Sequence, residues 1–427
     1  MTGETRADPL ATAYRRITLR FVPFLFLCYI FNYLDRVNVG FAKLEMLGAI
    51  GMSETAYGFG AGIFFLGYIA CGVPSNLLAE RVGARRWLAC LMIVWGAISA
   101  AMLFVRTPIA FYILRFAMGA AEAGFFPGIV LFLTRWFPAS RRGRVMALFM
   151  SAIPLSGVLG GPLSGWILAR FGAGQGGLEA WQWMFLIEAI PTILLGLAML
   201  RLLDEGGDRA SWLDPAERIA VAQALAAEAH PRTMPEAGRL APIWGNPVLW
   251  RLGAIYFCIQ SGVYAINFWL PSIIAQSGQS DPMLIGWLSA IPYLAAALFM
   301  IAIGRSADRR AERRWHLAGP MLLGAVGLGL SALMATTPLW SLLGLTLAAM
   351  GALTALPMFW PLSDRHLAAA GAAAGIAFVN SLGQMAGFLS PYAVGWIKDA
   401  SGSTTIALAM LSAMLAIGSL LTLRFRR

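Results

Sequence analysis

The chain alternates long apolar segments with short polar ones along almost all of its length. A helix that spans a membrane needs about 20 mostly apolar residues. We predict such a helix over each of twelve segments, at 17–41, 57–80, 87–105, 108–134, 143–170, 181–202, 248–276, 282–304, 315–336, 338–361, 371–397 and 402–423. The short loops between these helices leave no room for a sizeable soluble domain. The pattern predicts an all-α membrane protein with twelve transmembrane helices.

Only one polar stretch is long, residues 203–247, and it lies about halfway along the chain. It contains the run LDPAERIAVAQALAAEAH, in which Asp214 can cap a helix and Pro215 can occupy the first helical position. We therefore predict a cytoplasmic linker, containing one helix, between a six-helix bundle over 1–202 and a second over 248–427.

The two predicted bundles look like copies of each other. The run NLLAERVGARRW follows the second span and GRSADRRAERRW follows the eighth, and they align without a gap. Internal duplication, with a binding site between the halves, is the layout of many secondary transporters. The acids and arginines that the two runs share are Glu80, Arg81 and Arg85 in the first half and Asp308, Arg309 and Arg313 in the second.

Composition and charge agree with a membrane protein. The 427 residues are 59% hydrophobic and 12% charged, whereas soluble domains carry about 25% charged residues. The net charge is +11, and arginines cluster before the first predicted span, after the second, fourth and eighth, and at the end of the chain. Because these positions share one membrane face, the positive-inside rule predicts cytoplasmic termini in a bacterial-type inner membrane. We attribute the basic charge to topology and expect no nucleic-acid partner.

Charged residues inside two of the predicted spans are the strongest functional signal. Asp35 and Arg36 lie in the first span, and Arg115 and Glu122 lie in the fourth. Ionised groups at bilayer depth are costly and usually line a cavity or an ion path. Arg115 and Glu122 are about 10 Å apart along a helix axis, so each needs a partner on another helix: Asp35 for Arg115, or Arg36 for Glu122. For Glu188, in the sixth span, a structural role is favoured over a proton role.

Several runs resemble a known family of transporters. The loop motif that occurs once per half resembles the signature of the major facilitator superfamily. The run from Tyr33 to Ala42 and the spacing of Arg115 and Glu122 resemble the first and fourth helices of its anion:cation symporter family. The run from Asn380 to Asp399 resembles the eleventh helix of its tartrate and hydroxyphenylacetate permeases. The resemblance covers essentially the whole chain and implies two pseudo-symmetric six-helix bundles.

The resemblance also implies roles for individual residues. Arg36 and Arg115 are expected to bind a substrate carboxylate, for which a guanidinium offers two parallel hydrogen bonds, and Asp35 and Glu122 are expected to carry protons. The expected gating residues are the six loop acids and arginines named above. Further side chains that either line the substrate cavity or simply pack between helices are Tyr33, Tyr68, Tyr264, Asn267, Trp360, Asn380 and Gln384.

These features predict an importer of an organic carboxylate, such as tartrate or an aldonate, that works by proton symport and alternating access. An aromatic-acid permease, an exporter and a proton-independent anion exchanger remain open alternatives. A membrane enzyme is disfavoured because the sequence has no H-E-x-x-H motif, P-loop or Cys/His cluster, and we expect no metal and no cofactor. A receptor is also disfavoured, because a receptor would be expected to carry a signalling domain. We expect a monomer in the lipid bilayer, by analogy with the superfamily.

Overall fold

The computed structural model describes residues 8–172, 174–206, 210–227, 245–368 and 372–425. Within these ranges the chain is almost entirely helical and has no strand. Short 3₁₀ turns occur at Met102–Phe104 and Gln175–Gly177. The α-helices are α1 Pro9–Ile50, α2 Glu54–Val82, α3 Ala84–Ala101, α4 Pro108–Glu122, α5 Phe125–Thr134, α6 Ala139–Arg170, α7 Ala180–Leu202, α8 Pro215–Ala227, α9 Pro247–Gln276, α10 Pro282–Arg310, α11 Arg314–Leu333, α12 Pro338–Ala368, α13 Ala372–Ser401 and α14 Thr405–Leu423.

The predicted membrane fold is confirmed. In the described part of the chain, 11 stretches are long and apolar enough to cross a membrane. One of them combines α4 and α5, which are separated only by Ala123 and Gly124. The remaining predicted span, 371–397, corresponds to α13, a helix of 30 residues. The predicted helix of the linker is also present, as α8, which begins at Pro215 as expected.

The first helix is longer than the sequence pattern predicted. It runs for 42 residues from Pro9 to Ile50, whereas the predicted span was 17–41. At its start the Asp8 carboxylate accepts a hydrogen bond from the backbone N–H of Leu10 at 3.0 Å. At its end Gly51 adopts a left-handed conformation with φ 62°, which glycine tolerates best. The apolar middle of the helix predicted the membrane span, whereas the residues at its two ends determine where the helix begins and ends.

The helices form two bundles that meet along matched pairs of helices. The first bundle contains α1–α7 and the second contains α9–α14. The main contacts between them join α2 to α13 and α6 to α10. The internal repeat relates α2 to α10 and α6 to α13, so these two contacts are equivalent under the predicted duplication. The exact division at 203–247 stays a prediction, and residues 228–244 of that linker lie outside the described residues.

The helices alternate in direction, which gives the molecule two ends. We call the end with the described residues of the linker the linker side. There the Arg16 guanidinium contacts Asp214 at 3.2 Å and Glu217 at 3.1 Å, so α8 is held against the start of α1. We call the other end the opposite side. It contains the short connection from Ile50 to Glu54 and the end of α13.

Glycines allow the bundles to approach closely in the half of the molecule nearer the opposite side. A Cβ atom at Gly161 of α6 would lie 2.7 Å from the carbonyl oxygen of Gly286 on α10. A Cβ atom at Gly58 of α2 would lie 2.3 Å from the carbonyl oxygen of Pro391 on α13. Small residues at such contacts are typical of membrane helices that pack backbone to backbone.

The glycine contact between α2 and α4 leads to a stability prediction. Gly67→Ala should destabilise the protein, because the added methyl carbon would lie 2.2 Å from the carbonyl oxygen of Phe116. Overpacking of this kind costs about 1–3 kcal/mol. Gly72 is the matched control on the same helix, since no atom lies within 4 Å of its Cβ position. In thermal unfolding of purified protein, a Gly67→Ala variant as stable as Gly72→Ala would contradict the close contact.

Candidate functional site

A buried ion pair lies inside the first bundle. The Nε of Arg36 on α1 donates to Oε2 of Glu122 at 2.8 Å, and Nδ2 of Asn32 donates to the same oxygen at 2.9 Å. The Glu122 side chain is fully buried, and that of Arg36 is 9% exposed. Of the two pairings that the sequence left open, Arg36 with Glu122 is therefore the one that forms. Asn32, one helical turn before Arg36, was not predicted.

A break in the fourth span positions Glu122. Helix α4 ends at Glu122 and α5 begins at Phe125. Gly124 in this break lies against α2, because a Cβ atom there would lie 1.8 Å from Oγ of Ser75. The carboxylate is thus at a helix end inside the membrane region, where irregular backbone is tolerated only when it is buried in protein or lines a cavity.

Aromatic rings surround the two buried guanidinium groups. The Cζ of Arg36 lies 5.0 Å from the ring centroid of Tyr33 and 5.3 Å from those of Phe64 and Tyr68. The Cζ of Arg115 lies 4.8 Å from the ring centroid of Phe64. Phe64 is therefore shared by both arginines, and cation–π attraction is strongest in such desolvated settings. The predicted residues Tyr33 and Tyr68 belong to this group.

Arg115 has no carboxylate partner among the described residues. Its guanidinium donates to the carbonyl oxygen of Ala61 at 3.3 Å and to the sulfur of Met118 at 3.6 Å. Its Nε makes no hydrogen bond, and the residue is fully buried. The alternative pair of Asp35 with Arg115 does not form. Arg115 thus contributes a positive charge that no described acid neutralises by direct contact.

Asp35 is held by neutral donors from two other helices. Its carboxylate accepts hydrogen bonds from Nε1 of Trp95 at 3.1 Å and Oγ of Ser99 at 3.3 Å, both on α3. Oγ1 of Thr192 on α7 donates at 3.3 Å. The residue is fully buried. The sequence predicted a role for Asp35 from its depth in the span, but the direction in which it points depends on how α1 packs against α3 and α7.

Polar residues of the second bundle meet the aromatic group of the first. The Tyr264 hydroxyl donates to Oε1 of Gln384 at 2.9 Å, and Nε2 of Gln260 donates to the Tyr264 oxygen at 3.2 Å. The rings of Tyr264 and Phe65 lie 4.3 Å apart between centroids. Because Phe65 is next to Phe64, the Tyr264–Gln384 pair lies across the bundle interface from the two arginines.

The other predicted cavity residues lie at different levels. Trp360 is half-buried with its ring centroid 5.2 Å from that of Tyr256. Asn380 is half-buried one turn before Gln384 on α13. Asn267 lies closer to the opposite side, where its Oδ1 accepts from the Tyr293 hydroxyl at 3.0 Å. The structure thus brings Tyr264 and Gln384 to the centre and gives Asn267 a contact within its own bundle.

Comparison with known proteins agrees with this architecture. A model of the Major Facilitator Superfamily matches residues 25–391. The chain belongs to the Major Facilitator Superfamily. It is 44% identical over 411 residues to a Pseudomonas putida protein named "Putative metabolite transport protein NicT", covering 96% of this chain and 93% of that protein. It is 44% identical over 425 residues to a "Putative tartrate transporter" of Agrobacterium vitis, covering 100% of this chain and 94% of that protein.

A solved structure shows the same fold. The inward-open xylose transporter XylE of Escherichia coli superposes with a TM-score of 0.76 at 17% identity, and the match covers 96% of each chain. At this identity the likeness establishes the fold alone. The superfamily model and the two relatives confirm the resemblance noted in the sequence at the level of the superfamily. The chain is a membrane transporter, not an enzyme.

A group of charged side chains connects the two bundles on the opposite side of this transporter. The Glu54 carboxylate of α2 lies 2.6 Å from Nζ of Lys43 on α1 and also pairs with Lys398 on α13. The Lys43 Nζ lies 3.5 Å from the ring centroid of Trp269 on α9. The Asp399 carboxylate accepts from the backbone N–H of Glu54 at 3.2 Å. We call Lys43, Glu54, Trp269, Lys398 and Asp399 the opposite-side cluster.

The opposite-side cluster joins both bundles and was not predicted as a functional group. It connects α1 and α2 of the first bundle to α9 and α13 of the second, and the Lys43 side chain is only 3% exposed. Charges near helix ends are common, so only their neighbours in space identify the cluster.

The predicted gating residues make no ion pair between the two bundles in the described part of the chain. Arg313 pairs with Asp308 at 2.7 Å inside the second bundle. Arg85 donates to the carbonyl oxygen of Leu203 at 3.3 Å, near the end of α7. Glu80, Arg81 and Arg309 are exposed. In this conformation the charged contacts between the bundles are therefore on the opposite side, and a gating role for the six loop residues stays a proposal.

Breaking the opposite-side cluster should open that side. Glu54→Gln leaves the buried Lys43 charge without its carboxylate, which strongly disfavours the closed arrangement. We expect a cysteine introduced at Ser272, buried on α9 near Trp269, to react with a membrane-impermeant maleimide about tenfold faster, a shift of about 1.4 kcal/mol. The background should lack the native cysteines.

Glu45→Gln is the control for this prediction. Glu45 lies near the same end of α1 and forms no ion pair in the described ranges, so its replacement should leave the labelling rate unchanged. Equal labelling rates in the Glu54→Gln and Glu45→Gln backgrounds would show that the cluster does not hold the bundles together.

Proposed function

We propose that this transporter imports an organic carboxylate anion together with protons. The observation that supports the proposal is the buried pair of Arg36 and Glu122. While the site is empty, Glu122 neutralises the Arg36 guanidinium. When Glu122 takes up a proton, Arg36 loses its counter-charge and becomes the preferred partner of a substrate carboxylate. Anion and proton then favour each other's binding, which is the requirement for symport.

The proposed substrate class is a hydroxy acid or sugar acid, such as tartrate or an aldonate. Tyr264, Gln384 and Gln260 provide a hydroxyl and two amides across the interface from the arginines, and such groups suit the hydroxyls of a polar substrate. The name of the Agrobacterium vitis relative refers to tartrate. An aromatic acid is the second candidate, because the rings of Tyr33 and Tyr68 surround Arg36.

The proposed topology assigns each entrance of the transporter to one side of the membrane. The arginine clusters predict that the linker side is cytoplasmic, so the opposite side faces outward. The opposite-side cluster then closes the outer entrance, while Glu80, Arg81, Arg85, Asp308, Arg309 and Arg313 are proposed to close the inner one in the alternate state. We propose that a monomer suffices, because the central charged groups and the facing polar groups all come from one chain.

Charge counting supports electrogenic transport. Asp35 and Glu122 are proposed to bind one proton each. The four charged groups of the first and fourth spans sum to zero when both acids are ionised, so two protons and a monoanion add one positive charge. Entry of that charge gains about 2.3 kcal/mol per 100 mV of inside-negative potential.

Replacing Glu122 should separate proton coupling from exchange. In proteoliposomes with an inward proton gradient, wild-type protein should accumulate one member of a labelled panel of hydroxy, sugar and aromatic acids. Glu122→Gln keeps the shape but cannot take up a proton, so accumulation should be lost while counterflow exchange continues. Glu217→Gln, which alters an ion pair of the linker, is the control and should accumulate normally. Uptake that depends neither on the proton gradient nor on the Glu122→Gln replacement would contradict symport and favour an exchanger.

Replacing Arg36 should weaken substrate binding. Arg36→Lys retains the positive charge but loses the planar fork that can bind a carboxylate with two hydrogen bonds. We expect KM for the identified substrate to rise about tenfold or more, corresponding to about 1.4 kcal/mol. Arg106→Lys, at an exposed position between α3 and α4, is the matched control. An unchanged KM in Arg36→Lys would place the substrate carboxylate elsewhere.

A further inference from the structure

Glu188 on α7 is a buried acid that the proposed function does not use. Its side chain is inaccessible, with 1% of the residue exposed. Oε2 accepts a hydrogen bond from Nδ2 of Asn38 at 2.8 Å, and Oε1 accepts from Oγ of Ser164 at 2.9 Å. Neither donor is charged. A buried carboxylate without a cationic partner is expensive, so it tends to be held as the neutral acid.

The partners of Glu188 suit both protonation states. Oδ1 of Asn38 is buried and makes no hydrogen bond. The two ends of an amide are nearly the same size, so a half-turn of the Asn38 side chain presents this oxygen to Glu188 as an acceptor. The Ser164 hydroxyl can likewise donate or accept. Asn38 and Ser164 can therefore stabilise a carboxylate by donating to it or a carboxylic acid by accepting from it.

Glu188 lies next to Asp35 across the interface of α1 and α7. Thr192, one turn after Glu188, donates to Asp35 at 3.3 Å, and Asn38, one turn after Asp35, donates to Glu188 at 2.8 Å. These two contacts connect antiparallel helices. Because α1 runs toward the opposite side, Glu188 is about one turn, or about 5 Å, nearer that side than Asp35.

The surroundings of Glu188 contain one other titratable group. From α1 the facing groups are Asp35 and Asn38, and from α6 the facing group is Ser164. Thr192 belongs to α7 itself. The contacts of α3 reach Asp35 through Trp95 and Ser99, and the turn at Met102–Phe104 contacts the far end of α7 at Gln182. Among these described groups, Asp35 is the only other side chain that can bind a proton near Glu188.

Charge balance fixes how many protons the two acids hold. The buried cations of the first bundle's centre are Arg36 and Arg115, and the buried acids are Asp35, Glu122 and Glu188. Glu122 already neutralises Arg36. If Asp35 and Glu188 were both ionised, the centre would carry a net negative charge. A single proton held between them leaves one ionised acid to balance Arg115, and the centre becomes neutral.

We propose that Glu188 is a third proton-binding residue, and that Asp35 and Glu188 hold one proton between them while the substrate site is empty. The O–H bond breaks on one carboxyl and forms on the other, so no further reactant is needed. Because Glu188 is nearer the opposite side, it receives protons that enter from there before Asp35 does. This inference rests on the proposed symport, in which Asp35 carries a proton, but the titration of Glu188 can be measured without any substrate.

Infrared spectroscopy of the purified, full-length protein tests the proton site directly. A protonated carboxyl has a C=O stretching band that a carboxylate lacks. In a pH titration we expect one such band in wild type to be absent in Glu188→Gln and displaced in Glu188→Asp. In Asp35→Asn the midpoint of the Glu188 band should shift, because the two acids no longer share a proton. Identical titrating bands in wild type and Glu188→Gln, or a midpoint unaffected by Asp35→Asn, would overturn the proposal.

Transport supplies the second test. Glu188→Gln should reduce gradient-driven accumulation about 100-fold, the scale of losing a positioned proton donor, with a much smaller effect on counterflow. Thr346→Val is the control, because the Thr346 hydroxyl bonds only a carbonyl of its own helix. Accumulation in Glu188→Gln equal to that in Thr346→Val would overturn a role in coupling. If wild type shows no gradient-driven uptake of any acid, the symport proposal fails, and the infrared bands still decide whether Glu188 and Asp35 share a proton.

Discussion

The buried pair of Arg36 and Glu122 is the interaction on which the centre of the molecule depends. Its two charges lie where water is excluded, so removal of either partner would leave the other uncompensated at a cost of about 3–5 kcal/mol. The pair fixes α1 against the end of α4, and the break at Ala123 and Gly124 places the carboxylate where α1 can reach it. Aromatic rings complete the enclosure of Arg36. A charge change at this pair therefore affects the packing of three helices at once.

Much of the fold could be predicted from the sequence, because apolar length alone identifies helices that cross a membrane. The charged residues of the centre could also be found, since they interrupt apolar runs. Their partners could not be assigned, because the rotation of each helix about its axis is set by packing. Asp35, for example, faces Trp95 and Thr192 and not Arg115. The interruption of the fourth span was missed although Pro127, the third residue of α5, has no N–H to donate and crowds the carbonyl of Ala123 four residues earlier.

The opposite-side cluster was missed for a different reason. Lys43, Glu54 and Lys398 lie near helix ends, where charged residues are ordinary and carry no signal of their own. They become informative only when four helices bring them together around Trp269. The central pair lies within one bundle, whereas the cluster joins two. Under the proposed mechanism, the first can respond to protons and substrate while the second holds the outer entrance closed.

The distribution of charge between the bundles separates two tasks of a transporter. Among the central residues, both arginines and all three buried acids come from the first bundle. The second bundle faces them with neutral groups, Gln260, Tyr264 and Gln384, which are hydrogen-bonded to one another. Under the proposed function, the first bundle recognises the negative charge and couples it to protons, while the second distinguishes one acid from another. A substrate that contacts both bundles would then be required to close the transporter around it. Neither bundle alone can bind both the carboxylate and the hydroxyls of the substrate. Substitutions at Gln384 would then alter which anion is moved, and substitutions at Glu122 would alter what drives it.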